Sequence, residues 1–396
     1  MKRRRIYLDN SATTSVYPEV KKNMQKYFSK IYGNASSLHY FGRQSKIVVE
    51  NSRIQIAKLI NANPNEIFFT SCGTEANNIA ILGVIQAYGS IGHVISSSIE
   101  HHSVLHTCEY LNKSGHIITY IKVDKHGIIS VKDLINSLRD NTILVTIMHA
   151  NNEIGSMQPI EDIAHELSKI NKNRKHKIYL HTDSIQTAGK IKIDVKQLGV
   201  DLLTISAHKF NGPKGIGILY IKNGTKILPI TFGGHHESAI RPGTENVPCI
   251  VGCAKAYEIA SENLNEHYEH VSKLRQKLKE GILNTIPDVK INADNSHILS
   301  HILNVSFKYI EGESLLLMLD MKGIAVSTGS ACTSDTLSPS HVLTAIGLSP
   351  ILARGAIRFS FTYQNTITEI DYVLSVLPHL VNDLRLMSPI WRSNKL

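Results

Sequence analysis

Between about residues 67 and 220, short apolar runs alternate with longer amphipathic stretches. "IFFTS" (67–71), "HVISSS" (93–98), "TILVTIM" (142–148), "KIYLHTD" (177–183) and "LLTIS" (202–206) are compact, largely apolar and end in polar or Gly-rich sequence. That pattern predicts buried strands. Between them, "TEANNIAILGVIQAYG" (74–89) and "PIEDIAHELSKIN" (159–171) space their apolar residues as a helix does. Strands alternating with helices imply right-handed crossovers and a mostly parallel sheet. Such sheets hold ligands at the carboxyl ends of their strands, so the polar residues there draw attention.

A Gly-rich stretch, "FGGHHESAIRPGTENV" (232–247), interrupts the alternation, and a charged helical segment follows over roughly 248–285. Beyond it, "HILNVSFKYI" (301–310), "SLLLMLDMKG" (314–323), "GAIRFSF" (355–361) and a helical end (367–386) suggest a small α+β unit. The expected division is a large domain over 15–258 and a small one over 1–14 and 259–396.

The chain has 396 residues, 42% of them hydrophobic, and can bury a large core without disulfides. Its five cysteines, Cys72, Cys108, Cys249, Cys253 and Cys332, are scattered and odd in number. Cys249 and Cys253 lack the neighbours a zinc site needs, so no metal site and a reducing compartment are expected. The net charge of +10 is partly local, in "MKRRR" and "NKNRKHK" (171–177), and reads as solvated surface. No nucleic-acid motif accompanies it, and no apolar run approaches the roughly 18 residues that span a bilayer. The basic start lacks an apolar stretch of the secretory type. A cytoplasmic location is expected, or an organelle matrix in a eukaryotic source.

Four strand ends carry candidate chemistry. In "TISAHKFNGPKGIG" (204–217) Lys209 follows a strand and precedes a Gly/Pro turn, which suits an amine that attacks an aldehyde cofactor. In "YLHTDSIQTAG" (179–189) a strand delivers Asp183, with Gln186 three residues on. Asp183 could pair with a pyridinium nitrogen, or simply cap the next segment. In "FFTSCGTEANN" (68–78) Gly73 and Thr74 open a helix, as a phosphate cradle or an ordinary cap would. His101, in "SIEHHSVL" (98–105), could stack on a ring and carry protons. Together the four read as the parts of one cofactor site.

With "YLDNSATT" (7–14), "GNASSLHYFGR" (33–43), "NNEIG" (151–155), "RPGTENV" (241–247) and "STGSACTS" (327–334), the chain resembles pyridoxal-phosphate cysteine desulfurases of the IscS/NifS type. The resemblance runs in order over nearly the whole chain. It implies a fold-type I α/β architecture with a seven-stranded-type sheet, a homodimer, and pyridoxal 5'-phosphate as cofactor. It implies that Lys209 holds the cofactor and Asp183 faces its ring nitrogen. Gln186 would bond the ring hydroxyl and His101 would stack on the ring. Gly73, Thr74, Ser206 and His208 would hold the phosphate, with Thr244 reaching in from the other subunit. Asn151, Asn34 and Arg358 would handle the substrate carboxylate and nearby ring atoms.

The implied reaction takes sulfur from L-cysteine, releases L-alanine and leaves a persulfide on Cys332. That sulfur would pass to an iron–sulfur scaffold, where Cys332 could transiently ligate iron, or to a tRNA-thiolation acceptor. The alternatives are a selenocysteine lyase or another aminotransferase-like enzyme, a non-catalytic binding platform, and a basic tRNA-binding protein. Several features depart from the family pattern, among them Cys72 where glycine is usual, residues 235–239 in the Gly-rich loop, Ser15 and Ala35 in place of prolines, "FTYQNT" (361–366) and the segment "LMSPIWRSNKL".

Overall fold

The computed structural model describes residues 5–294, 297–328, 339–389 and 391. Its strands are β1 (Ile6–Tyr7), β2 (Ile67–Thr70), β3 (His93–Ser97), β4 (Ile117–Ile121), β5 (Thr142–Thr146), β6 (Tyr179–Asp183) and β7 (Leu202–Ser206). They continue with β8 (Gly217–Ile221), β9 (Val289–Ile291), β10 (Ile302–Phe307), β11 (Ile324–Ala325), β12 (Ser327–Thr328) and β13 (Ala356–Ser360).

β2–β8 form a seven-stranded sheet in the order β2-β8-β7-β6-β5-β3-β4. β3 through β7 run parallel, and β8 runs antiparallel to both neighbours. β3, β5, β7 and β8 are buried along their whole length. Helices on both faces demand that, and it explains why these strands read as apolar runs rather than as alternation. β4, at the edge, is mostly half-buried and escaped the apolar-run criterion.

The helix Gly73–Tyr88 and the helix Ile160–Asn171 stand where their spacing predicted them. The long helical segment after 247 divides into Val247–Glu262 and Leu264–Thr285. Asn263 breaks it: its backbone leaves helical geometry, and its side-chain amide donates to the Ile259 carbonyl at 2.8 Å. Asn side chains compete with helix hydrogen bonds in this way. Cys249 and Cys253 share the first of these helices, Cys253 buried and Cys249 half-buried.

A second core gathers β9, β10, β12 and β13 with the helices Gly312–Met321 and Ile367–Met387. The amino-terminal Ile6 and Leu8 join it, because β1 pairs in parallel with β11. This return matters for the site: it leads Asp9, Ser11 and Ala12 across to the sheet.

Candidate active site

β2, β3, β5, β6 and β7 point the same way, so the loops after them meet. They enclose a cavity of about 470 Å³, together with Ser11 and Ala12, Pro339–His341 and Arg358.

Asp183 closes β6 and is 5% exposed. Its Oδ2 accepts from Asn77 Nδ2 at 2.8 Å and its Oδ1 from the Ile185 amide at 2.9 Å. Burial pushes its pKa up, and the Asn77 and Ile185 hydrogen bonds and the Lys209 charge pull it back. No ion pair reaches it among the described residues. Lys209 lies in the turn after β7, with Nζ donating to the carbonyls of Ser11 (2.5 Å) and Ala12 (2.8 Å). Gln186 Nε2 donates to the same Ser11 carbonyl at 3.0 Å. Ser206 is 2% exposed and His208 half-buried; Thr13 Oγ1 lies 3.1 Å from His208 Nδ1.

His101 caps the helix His102–Lys113, and its Nδ1 accepts from the Ser103 amide at 3.1 Å. That assigns the neutral ring's proton to Nε2. Burial, then the Lys209 charge, lowers its pKa to about 4, so the ring is neutral at pH 7. Ser103 Oγ lies 2.8 Å from His101 Nδ1 and accepts from Asn77 Nδ2 at 2.9 Å. Asn77 therefore connects Asp183 to Ser103 and His101 through one amide. Sequence reading missed Asn77 and Ser103. A signal existed for Asn77: it is a polar residue beside Ala76 and Ala80 on the buried face of its helix.

Gly73 opens that helix under the cavity. A Cβ there would sit 2.2 Å from Ile185 Cδ1, so glycine lets the helix start press against the loop after β6. Thr74 follows it and lines the cavity. Cys72 Sγ accepts from the Glu75 amide at 3.5 Å, so the thiol standing in glycine's place caps the helix.

Two further carboxyls line the cavity. Glu100, 1% exposed, accepts from Ser97 Oγ and the Met148 amide on Oε1, while its Oε2 is buried without a partner. Burial raises its pKa to about 8. Glu153 accepts from Ser340 Oγ at 2.6 Å, and burial raises its pKa to about 7. Neither was singled out from the sequence.

Arg358 is 3% exposed. Nη2 meets Asp9 at 2.8 Å and Nη1 donates to the Asn152 carbonyl at 2.9 Å, leaving Nε buried without a partner. Both arms of the fork are in use, so two-point capture of a ligand carboxylate requires release from Asp9 or Asn152.

Three expected site residues do not line the cavity. Asn151 is fully buried, and its amide is spent on the Ile99 carbonyl and on the Glu153 and Ile154 amides. Asn34 and Thr244 are exposed. Cys332 lies outside the described residues.

The aminotransferase class-V family model matches residues 6–373. The cysteine desulfurase IscS of Dictyoglomus turgidum is 48% identical, over 99% of both chains. The cysteine desulfurase IscS of Clostridium botulinum is 50% identical, over 98% of this chain and 97% of the relative. Among solved structures, a NifS-like protein superposes with a TM-score of 0.90 at 40% identity, covering 96% of this chain and all of the other. A protein solved as SspA in complex with cysteine gives a TM-score of 0.79 at 35% identity, covering 90% of this chain and 98% of the other.

These enzymes depend on pyridoxal phosphate, and the residues present fit it. A buried carboxylate held only by neutral donors, Asp183, calls for the cation that a protonated pyridine supplies. A lysine amine and a buried glycine at a helix N-terminus, with a threonine beside it, complete the donor set for an aldehyde and a phosphate. The chain belongs to the aminotransferase class-V family, within it to the cysteine desulfurases.

Proposed function

We propose that this pocket takes the sulfur from L-cysteine, releases L-alanine and leaves a persulfide on Cys332. One observation carries the reading: Lys209, Asp183 and His101 line a single cavity whose wall includes Pro339 and Ser340. In sequence those two residues follow closely on the segment that bears Cys332. Lys209, Ser206, His208, Gly73 and Thr74 are the residues that would hold the cofactor, with Gln186 beside its ring. When bound, pyridoxal phosphate supplies an electron sink for the charge left on the substrate carbon.

Arg358 binds and orients the substrate carboxylate, exchanging one of its present partners for it. Lys209 Nζ takes the proton from the substrate Cα. Asp183 lies under the site, where burial pushes its pKa up while the Asn77 and Ile185 hydrogen bonds and the Lys209 charge favour its charged form, the one that would face a protonated ring nitrogen. His101 exchanges a proton at Nε2 with the substrate thiol and, later, with the product carbon. Cys332 reacts as the thiolate. Its sulfur bonds to the substrate sulfur while the substrate Cβ–S bond breaks, and the electron pair goes to the carbon side.

The persulfide then passes to an acceptor protein, an iron–sulfur scaffold or a tRNA-thiolation enzyme, from a homodimer in which Thr244 completes the neighbouring phosphate site. No helix among the described residues is long and apolar enough to cross a membrane, which suits work beside such acceptors in the cytoplasm.

Single-turnover release of alanine and sulfide from cysteine tests the reading. Cys332→Ser should nearly abolish both while cofactor absorbance is retained. Undiminished release would remove Cys332 from the reaction.

A further inference from the structure

Arg358 and Glu153 both line the main cavity. Arg358 Nη1 donates to the carbonyl of Asn152, the residue before Glu153, and Nη2 holds Asp9. If Arg358 exchanges one of these partners for a substrate carboxylate, the second carboxylate oxygen still needs a donor.

Glu153 is fixed beside it from three directions. Its amide donates to Asn151 Oδ1 at 2.8 Å, Asn304 Nδ2 donates to its carbonyl at 3.1 Å, and Ser340 Oγ donates to its Oε2 at 2.6 Å. Ser340 also caps the helix His341–Ala345. The other side-chain oxygen, Oε1, makes no hydrogen bond among the described residues. Glu153 is 8% exposed, and no cation pairs with it among the described residues. A buried carboxyl without a counter-ion favours its neutral form, and a neutral carboxyl is a donor. With Oε2 accepting from Ser340, the proton belongs on Oε1.

We propose that Glu153 is a substrate-binding residue: protonated, it donates from Oε1 to the carboxylate of the amino-acid substrate, which it shares with Arg358. This rests on the function proposed above. Once ionised, Glu153 offers only acceptors and repels the same carboxylate. Burial raises its pKa to about 7, against the Ser340 hydrogen bond and the Arg358 charge, which lower it. Affinity for the carboxylate should therefore be full below pH 7 and fall as pH rises through it. The other titratable groups around it are Asp9 beside Arg358, His341 next to Ser340, and Lys209, Asp183, Glu100 and His101 of the cavity wall. These are unaltered in the variants below, so differences between proteins report Glu153.

L-alanine is the probe, because it carries the carboxylate and no thiol. Its binding to the cofactor-loaded enzyme is read from the cofactor absorbance. Between pH 6.5 and 8.5 the wild type should lose about tenfold in affinity, as the competent fraction shrinks. Glu153→Gln keeps a neutral donor of similar shape. It should match the wild type at pH 6.5 and bind about tenfold more tightly than wild type at pH 8.5. Ser340→Ala removes a donor that favours the charged form, so it should move the loss to higher pH. The same fall with pH in Glu153→Gln as in wild type overturns the proposal, and so does binding weakened alike at every pH, the mark of a purely structural role. If Glu153→Gln fails to fold, an unmoved loss in Ser340→Ala overturns it. No absorbance response to L-alanine in the wild type would instead overturn the proposed function, and this inference with it.

Discussion

The two ends of the main sheet bury the same kinds of side chain and treat them differently. At the amino end His93, Glu66 and Asp201 are all at most 5% exposed, and every one is satisfied. His93 meets Thr142 Oγ1 and Thr119 Oγ1, each at 2.8 Å, so both ring nitrogens are in use. Glu66 accepts from Asn63 on one oxygen and from the Asn223 amide on the other. Asp201 pairs with Lys177 at 2.6 Å and accepts from the Leu180 amide.

At the carboxyl end the accounts stay open. Glu100 Oε2 and Arg358 Nε are buried without partners, His101 uses only Nδ1, and Asp183 has no cation bonded to it. Burial lowers the pKa of His93 and of His101 alike, to about 4 in each case. Depth and pKa therefore do not distinguish His93 from His101. The unfilled valence does, because buried polar atoms are otherwise almost always paired.

Exchanging the two histidines for alanine is the strongest way to break this contrast. His101→Ala should slow alanine formation by about 10²–10³-fold, the range of a lost proton carrier, with little change in melting temperature. His93→Ala should leave the rate per folded molecule unchanged. It should cost about 2–4 kcal/mol in urea unfolding, from a cavity and two stranded threonine hydroxyls. A large rate loss in His93→Ala, or a large stability loss in His101→Ala, would erase the distinction.

A smaller effect is expected at Ser103, which touches His101 but lines no part of the main cavity. Ser103→Ala should reduce the rate by about threefold to tenfold, the worth of one hydrogen bond to a positioned ring. It should also shift the acid limb of the pH–rate profile, which a purely structural role would leave in place.

A further effect lies in the pH dependence of stability. His93 titrates near an ordinary 6.5 when unfolded and at about 4 in the fold, so the unfolded chain takes up the proton first. Its stabilising share is whole above pH 6.5, is lost as pH falls to 4, and changes no further below that. Thermal melts of His93→Gln over this window should show a flatter decline than wild type; an identical slope would assign the loss to other groups.

The strand runs, the helix spacing and the position of the site at the strand ends were all legible in the chain. They depend on local periodicity, which survives without tertiary knowledge. Lys209, Asp183 and His101 were legible as candidates for the same reason, since each lies at or shortly after the carboxyl end of a strand. Asn77, Ser103, Glu100 and Glu153 were not, because their meaning comes from partners 26 to 187 residues away.

Sequence by itself therefore determined which segments form the strands and helices, at which end of the sheet a ligand site is expected and which family the motifs resemble. Only the tertiary structure decided which buried polar atoms find partners. Satisfaction is a property of distances between segments remote in sequence, and the sheet settles it by pairing His93, Glu66 and Asp201 at one end and leaving several groups open at the other.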